Sequence, residues 1–243
     1  MLPGRREGGL LAKKHASEIE QELKISLTRE DLEKVFASFA KDVKKTDIRH
    51  KFLPRDYYDT EDLAMQAAGV SLRVQYKPGK NGTLGSYEQT VKFALTPDGA
   101  ADAEALYRKE CKDMLDKNRP DMARVADPEA VQVIKPFKNK ELKHIFTAAI
   151  ERRYFNVAAG KGKKRGEVEL AFDVGKITLP DAAGVEQPLA EIEIEIKKGS
   201  PKAIAAIKEK IFKIAPGARV QREDKSAQGS RLYRTTCKQA KNL

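Results

Sequence analysis

Residues 190–198 read AEIEIEIKK, and this stretch decides the fold. Successive side chains of an extended chain point to opposite sides, so Glu191, Glu193, Glu195 and Lys197 share one face and Ile192, Ile194 and Ile196 the other. Such a strand buries one face and carries charge on the other. Upstream, Glu167–Val174 alternates in the same way, with Val168, Leu170, Phe172 and Val174 opposite Glu167, Glu169 and Asp173. The Gly/Lys stretch Ala159–Gly166 separates this strand from a third at His144–Val157, which predicts a hairpin. Downstream, Ser200 opens a helix whose apolar residues Ile204, Ile207, Ile211, Phe212 and Ile214 recur at helical spacing until Pro216-Gly217 ends it.

The N-terminal half repeats these themes. Ser17–Leu27 alternates, with Glu18, Glu20, Glu22, Lys24 and Ser26 on one face. Thr28 stands where a helix N-cap belongs, and Leu32, Val35, Phe36 and Phe39 mark an amphipathic helix running to about Val43. A connector containing Pro54 leads to a short strand, a helical turn over Asp62–Ala68 and a strand from Val70 to Tyr76. Pro-Gly and Asn-Gly in the turn Lys77–Gly85 predict a hairpin with Tyr87–Leu95. Between Thr96 and Pro136 the pattern mixes a strand or helix around Leu106–Glu110 with helix-like Ala-, Asp- and Lys-rich sequence, and the insertion-like segment 112–136 is unexpectedly rich in charge.

Over 243 residues the chain carries 47 Lys and Arg against 36 Asp and Glu, a net charge of +11 that points to an anionic partner. Two cysteines and three scattered histidines provide neither a disulfide framework nor a zinc site, so a cytoplasmic setting is expected. No apolar run approaches the roughly 20 residues that span a bilayer, so no membrane partner is expected. Residues 1–14, MLPGRREGGLLAKK, read as a flexible basic arm; one domain over 15–237 follows, then a tail at 238–243.

The ionic face recurs in nearly every strand: Glu20, Glu22 and Lys24; Arg73; Lys92; Arg108; Arg152; Glu169 and Asp173; Glu191, Glu193 and Glu195. An antiparallel sheet with its charged side in water explains alternation alone. Stacked glutamates, however, place like charges about 7 Å apart, which is unfavourable unless a cation offsets them. The two amphipathic helices must also cover the apolar faces. The expected fold is therefore α+β: a closed eight-stranded antiparallel β-barrel, a tunnel with an ionic interior and helices packed outside. Acids on one wall and Lys or Arg on the others are complementary to a metal-bound polyphosphate, since Mg²⁺ or Mn²⁺ prefers carboxylate oxygens and the bases neutralise phosphate. GKGKKRGE at 160–167 lacks the spacing and the Ser/Thr of a phosphate loop and reads as a hairpin turn.

These residues resemble a known family. EQELK at 20–24 resembles the Glu-x-Glu-x-Lys signature of the CYTH domain of the triphosphate tunnel metalloenzymes, which include inorganic triphosphatases, thiamine triphosphatases and class IV adenylate cyclases. The resemblance continues in order through YYDTEDLAMQAAGVSLRV, QTVK at 89–92, RKE at 108–110, Arg152, Glu167–Asp173, EIEIEIKKG at 191–199 and Lys225 in DKSAQG, covering roughly residues 17–235. It implies hydrolysis of a triphosphate, most simply inorganic triphosphate to pyrophosphate and phosphate, with Mg²⁺ or Mn²⁺ as cofactor. By the same resemblance Glu20, Glu22, Asp173, Glu191, Glu193 and Glu195 bind the metal, with Glu169 nearby. Lys24, Arg73, Lys92, Arg108, Arg152 and Lys225 hold the triphosphate, and Lys24, Glu22 and Arg152 are the catalytic set. The partner is then a small-molecule triphosphate, not a nucleic acid. Adenylate cyclase or thiamine triphosphatase activity, or binding of polyphosphate or RNA without turnover, are the alternatives.

Arg152 and Arg153 point to opposite faces, and the register favours Arg152 for the tunnel. Tyr57, Tyr58, Asp59 and Thr60 read as architectural, serving the strand-to-helix turn. Two departures stand out: the family's Leu-Arg-x-Arg is here Leu72-Arg73-Val74-Gln75, and its Lys-x-x-Arg-Gly has Gln228 before Gly229. Each replaces a permanent cation with a neutral amide, which is expected to weaken the grip on phosphate.

Overall fold

The computed structural model describes residues 15–79, 85–95 and 106–240; the expected arm at 1–14 lies outside them. In chain order the elements are β1 (His15–Ser26), α1 (Arg29–Ala40), β2 (Arg49–Asp59), α2 (Ala64–Ala67), β3 (Val70–Lys77), β4 (Ser86–Ala94) and β5 (Leu106–Leu115). There follow α3 (Pro128–Ile134), β6 (Lys143–Ala159), β7 (Gly166–Thr178), β8 (Glu186–Gly199), α4 (Ala203–Ile214), β9 (Arg219–Val220) and α5 (Lys225–Ala240). The strand order is β5-β4-β3-β2-β6-β7-β8-β1, and β1 pairs back onto β5. All these pairings are antiparallel, so eight strands close into the barrel that the alternation predicts, with the short β9 added alongside β1.

Closure rests on β1. Its first half, His15–Glu22, pairs with β5, and its second, Glu22–Ser26, pairs with β8. The outer isoleucines of β8, Ile192 and Ile194, pack with Leu23, Ile25, Leu170 and Phe172 beneath Leu32, Val35 and Phe39 of α1 and Ile204, Ile207 and Ile211 of α4. Each of these buried side chains contributes about 1.5–3 kcal/mol, so the helices are held by the stripe that defined them in the sequence. The helix after Thr28 ends at Ala40 rather than Val43, and Thr28 Oγ1 accepts from Asp31 N as an N-cap should.

Three segments differ from the sequence reading. The connector containing Pro54 is the middle of β2; β2 pairs with β3 only over Arg55–Tyr58, so the proline lies beyond that ladder, where its missing N–H is tolerated. The 112–136 segment completes β5 and then forms α3, which with Phe137 covers the outer face of β3, β4 and β5 around Leu72, Val91, Phe93 and Cys111. Its charges have a use: Lys109 on β5 bonds Asp127 at 2.9 Å, and Asp127 caps α3 through the N–H groups of Glu129 and Ala130. The third is α5, a helix that the pattern did not announce and that runs through Ala240.

The hairpins are as expected. The β6–β7 connection is a single 3-10 turn at Gly162–Lys164, and Gly160 takes φ +77° there, where an added Cβ would strike the Lys164 carbonyl. β3 and β4 pair from Val70 opposite Phe93 to Lys77 opposite Ser86, while the tip of their predicted turn, 80–84, is outside the described residues.

Candidate active site

The barrel interior is ionic toward one end and apolar toward the other. On β6 the face that carries Arg152 also carries Ile150, Ala148 and Phe146 further along, and Phe146 stacks on Tyr57 with ring centroids 4.4 Å apart. Leu53, Ile177 and Leu189 join that apolar group, and Leu232 and Tyr233 of α5 pack against it. Gly229 lies flat on the Phe146 ring. The C-terminal helix thus seals the apolar end, and its first residue, Lys225, projects into the ionic part.

That ionic part is a cavity of about 630 Å³ lined by β1, β2, β3, β4, β5, β6, β7, β8 and the start of α5. The stacked glutamates of the sequence are offset there by cations from facing strands. Lys24 lies between Glu22, at 3.1 Å, and Glu193. Arg152 grips both oxygens of Asp173 and also reaches Glu193. Lys225 bonds Glu191 and stands 2.8 Å from Asp173 and 2.7 Å from Glu193. Lys92 bonds Glu20 and sits 3.5 Å from Glu22; Arg108 joins Glu22 to Asp224; Arg73 pairs with Glu110.

The electrostatics divide the carboxylates into two kinds. Burial alone would raise all of them. For Glu22 the cations Lys24, Lys92 and Arg108 outweigh burial and hold the carboxyl well below its usual range. Arg152 and Lys225 do the same for Asp173, and with Lys24 for Glu193. Burial wins at Glu20, which is pushed up to about 7 despite Lys92, with repulsion from Glu110 and Glu22 adding to it. Burial also raises Glu195, against Lys197 at 2.7 Å. Lys225, although buried, is held above the ordinary lysine range by Asp173, Glu191 and Glu193.

The donor set fits a hard divalent cation, since carboxylate oxygens converge in two places. Carboxylate oxygens of Asp173, Glu191 and Glu193 all lie within 4.8 Å of one another, as do those of Glu18, Glu20 and Glu110. Glu195 stands opposite Glu22 across the β1–β8 ladder and opposite Glu169 across β7–β8, which continues the acidic wall.

All twelve positions singled out in the sequence face this interior or its sealed end. Glu191 is buried, bonded by Lys225 and approached by Gln228 Nε2 at 3.4 Å. Arg153 points outward, to Glu33 and across the Phe36 ring. Asp59 is architectural, accepting from the N–H groups of Thr60, Met65 and Gln66 at the α2 turn. Sequence reasoning passed over Arg55, Asp224 and the role of Glu110. Glu110 lay within the quoted RKE, whereas Asp224, which accepts from Ala227 N as the α5 cap, would have been found from the Asp-Lys-Ser-Ala spacing.

A CYTH domain family model matches residues 18–230. The chain belongs to the CYTH domain family. An inorganic triphosphatase from Haemophilus influenzae is 28% identical over 152 residues, which cover 61% of this CYTH chain and 37% of the relative, so the alignment spans little more than a third of that protein. Among solved structures, a candidate adenylate cyclase from Bacillus halodurans superposes with a TM-score of 0.53 at 19% identity, covering 86% of this chain and 96% of that one. A candidate adenylyl cyclase from Hippeastrum, described as having a dominant triphosphatase activity, gives a TM-score of 0.52 at 13% identity over 89% of this chain and 96% of that one. These two similarities concern the fold, a closed antiparallel barrel shared by this CYTH domain.

Proposed function

We propose that this CYTH domain hydrolyses inorganic triphosphate to pyrophosphate and phosphate with Mg²⁺ or Mn²⁺. The observation that carries the reading is the cavity itself, in which six buried or nearly buried cations, Lys24, Arg73, Lys92, Arg108, Arg152 and Lys225, converge with carboxylates inside a closed barrel. The similarity to an inorganic triphosphatase supports the choice of substrate.

In this reading the six cations hold the phosphate chain, trading some of their internal carboxylates for phosphate oxygens. Glu20, Glu22, Asp173, Glu191, Glu193 and Glu195 would hold the metal, which when bound stabilises negative charge on phosphate oxygens as a Lewis acid. Lys24 and Arg152 are the catalytic cations: both sit against Glu193, so a phosphoryl group placed there is met from two sides as its charge redistributes. Glu22 orients Lys24, bonding it directly at 3.1 Å. Asp173 fixes the Arg152 guanidinium in one plane, which keeps the fork from following the substrate as it moves. A cytoplasmic setting belongs to the same reading, supported by the two unpaired cysteines Cys111 and Cys237.

The test is phosphate release from inorganic triphosphate and from ATP, with Mg²⁺ or Mn²⁺ and with chelator, in the wild type and in Glu22→Gln. Release that requires metal, favours inorganic triphosphate and drops at least tenfold in the variant is expected. Absence of release from either substrate, or formation of cyclic AMP from ATP in its place, would overturn the reading.

A further inference from the structure

Among the described residues, Arg55 is the one buried Lys or Arg that carries no ion pair. It lies on the inner face of β2, 9% exposed, and no carboxylate among the described residues comes within ion-pairing distance of it. Lys24, Arg73, Lys92, Arg108, Arg152 and Lys225 each have at least one. Its one side-chain hydrogen bond among the described residues runs from Nε to Gln75 Oε1, at 3.1 Å, between residues that stand opposite each other in the β2–β3 ladder. Gln75 is itself buried, so it fixes the guanidinium plane by the Nε edge and leaves the two Nη groups unclaimed.

Burial, with Arg73 and Arg152 close by, lowers Arg55 to about 10, which still leaves it charged at neutral pH. A buried cation flanked by two others and without an ion pair of its own is unfavourable in the ligand-free protein, and the fields of Tyr57 and of Asp173, which is already engaged by Arg152 and Lys225, do not fully compensate it. An arriving polyanion would. Arg55 sits between the Arg73 and Arg152 walls, and its free Nη pair has the fork geometry that binds two phosphate oxygens at once.

We infer that Arg55 is a phosphate-binding residue of this cavity, positioned by Gln75, and that its charge is the one reserved for the anion rather than shared with the protein. The inference rests on the triphosphate reading above, and it makes a distinctive prediction: Arg55 contributes to binding and not to folding.

The experiment compares wild type, Arg55→Gln, Arg55→Lys and the exchange variant Arg55→Gln/Gln75→Arg, which returns a guanidinium from the opposite residue of the ladder. The two measurements are the melting temperature with and without inorganic tripolyphosphate, and KM. Ligand-free Arg55→Gln is expected to melt at or above the wild type, while the shift on adding tripolyphosphate shrinks and KM rises about tenfold or more. The exchange variant is expected to recover most of the shift, and Arg55→Lys part of it. Arg55→Gln with unchanged ligand shift and KM, or an exchange variant no better than Arg55→Gln, would overturn the assignment of Arg55 alone. A wild type that neither binds nor hydrolyses tripolyphosphate would overturn the triphosphate reading and this inference with it.

Discussion

Arg152 holds Asp173 by two parallel hydrogen bonds, Nε to Oδ1 at 2.7 Å and Nη2 to Oδ2 at 2.6 Å, between residues directly opposite in the β6–β7 ladder. Asp173 is wholly buried and also faces Lys225 at 2.8 Å, so one carboxylate fixes two cations from different elements. Buried pairs of this kind add little net stability, yet removing one partner strands the other. Asp173→Asn keeps the shape and removes the charge, leaving Arg152 and Lys225 each short of an anion. The expected loss is about 3–5 kcal/mol in urea denaturation. A loss below about 1 kcal/mol would mean that Glu191 and Glu193 alone suffice to hold the two cations.

The seal at the apolar end is tested at Gly229. Helix propensity alone favours alanine over glycine by about 1 kcal/mol. At this position, however, a Cβ would be driven into the ring of Phe146, which is itself stacked on Tyr57 and 1% exposed, so neither ring has room to yield. Gly229→Ala is therefore expected to lower the melting temperature by several degrees, the net of roughly 1–3 kcal/mol of overpacking and the propensity gain. A variant more stable than the wild type would show that α5 lifts off the barrel without cost.

Most of the barrel could be read from residues 190–198 and their counterparts, because a closed barrel with an ionic interior keeps strict alternation along β1, β7 and β8. β2 broke that rule. Leu53, on the same inner face as Arg55, belongs to the apolar end, and Pro54 between them suggested a connector, so Arg55 lay in a segment with no visible period. The helix α5 was hidden for a different reason. Its sequence has Gly229 at the seal, few apolar residues, and Thr235 and Thr236, whose hydroxyls bond back to the carbonyls of Arg231 and Leu232. It is held by what it plugs more than by its own propensity. The ion pairs themselves follow from register across strands distant in sequence, and single-strand alternation does not supply register.

Adjacent arginines on β6 separate a role in the cavity from a role in packing. Arg153 bonds Glu33 of α1 at 2.6 Å and lies over the Phe36 ring, 3.8 Å from its centroid, on the outside of the barrel. Arg153→Ala is expected to cost about 1 kcal/mol or less in stability through the lost cation–π and surface ion pair, and to leave phosphate release unchanged. Arg152→Ala should abolish release. Equal losses of activity in the two variants would mean that the barrel as a whole, and not its inward face, governs turnover.

The charge that docks α3 gives a pH dependence of known sign. Burial on its own would raise the Asp127 carboxyl, but Lys109 and the N–H groups of Ala130 and Glu129 outweigh it and bring it down to about 2. Since the folded value lies below the unfolded one, the unfolded chain takes up the proton first as the solution is acidified. The stabilisation is thus complete above about pH 4 and is lost as the pH falls through about 2. Asn is also a good N-cap, so Asp127→Asn retains the cap geometry and removes the charge facing Lys109. Denaturation of both proteins between pH 6 and pH 2 should show the wild type ahead by about 1 kcal/mol at the upper end, the gap closing toward pH 2. A gap that persists unchanged at pH 2, or none at pH 6, would show that the Lys109 pairing does not hold α3 against the barrel.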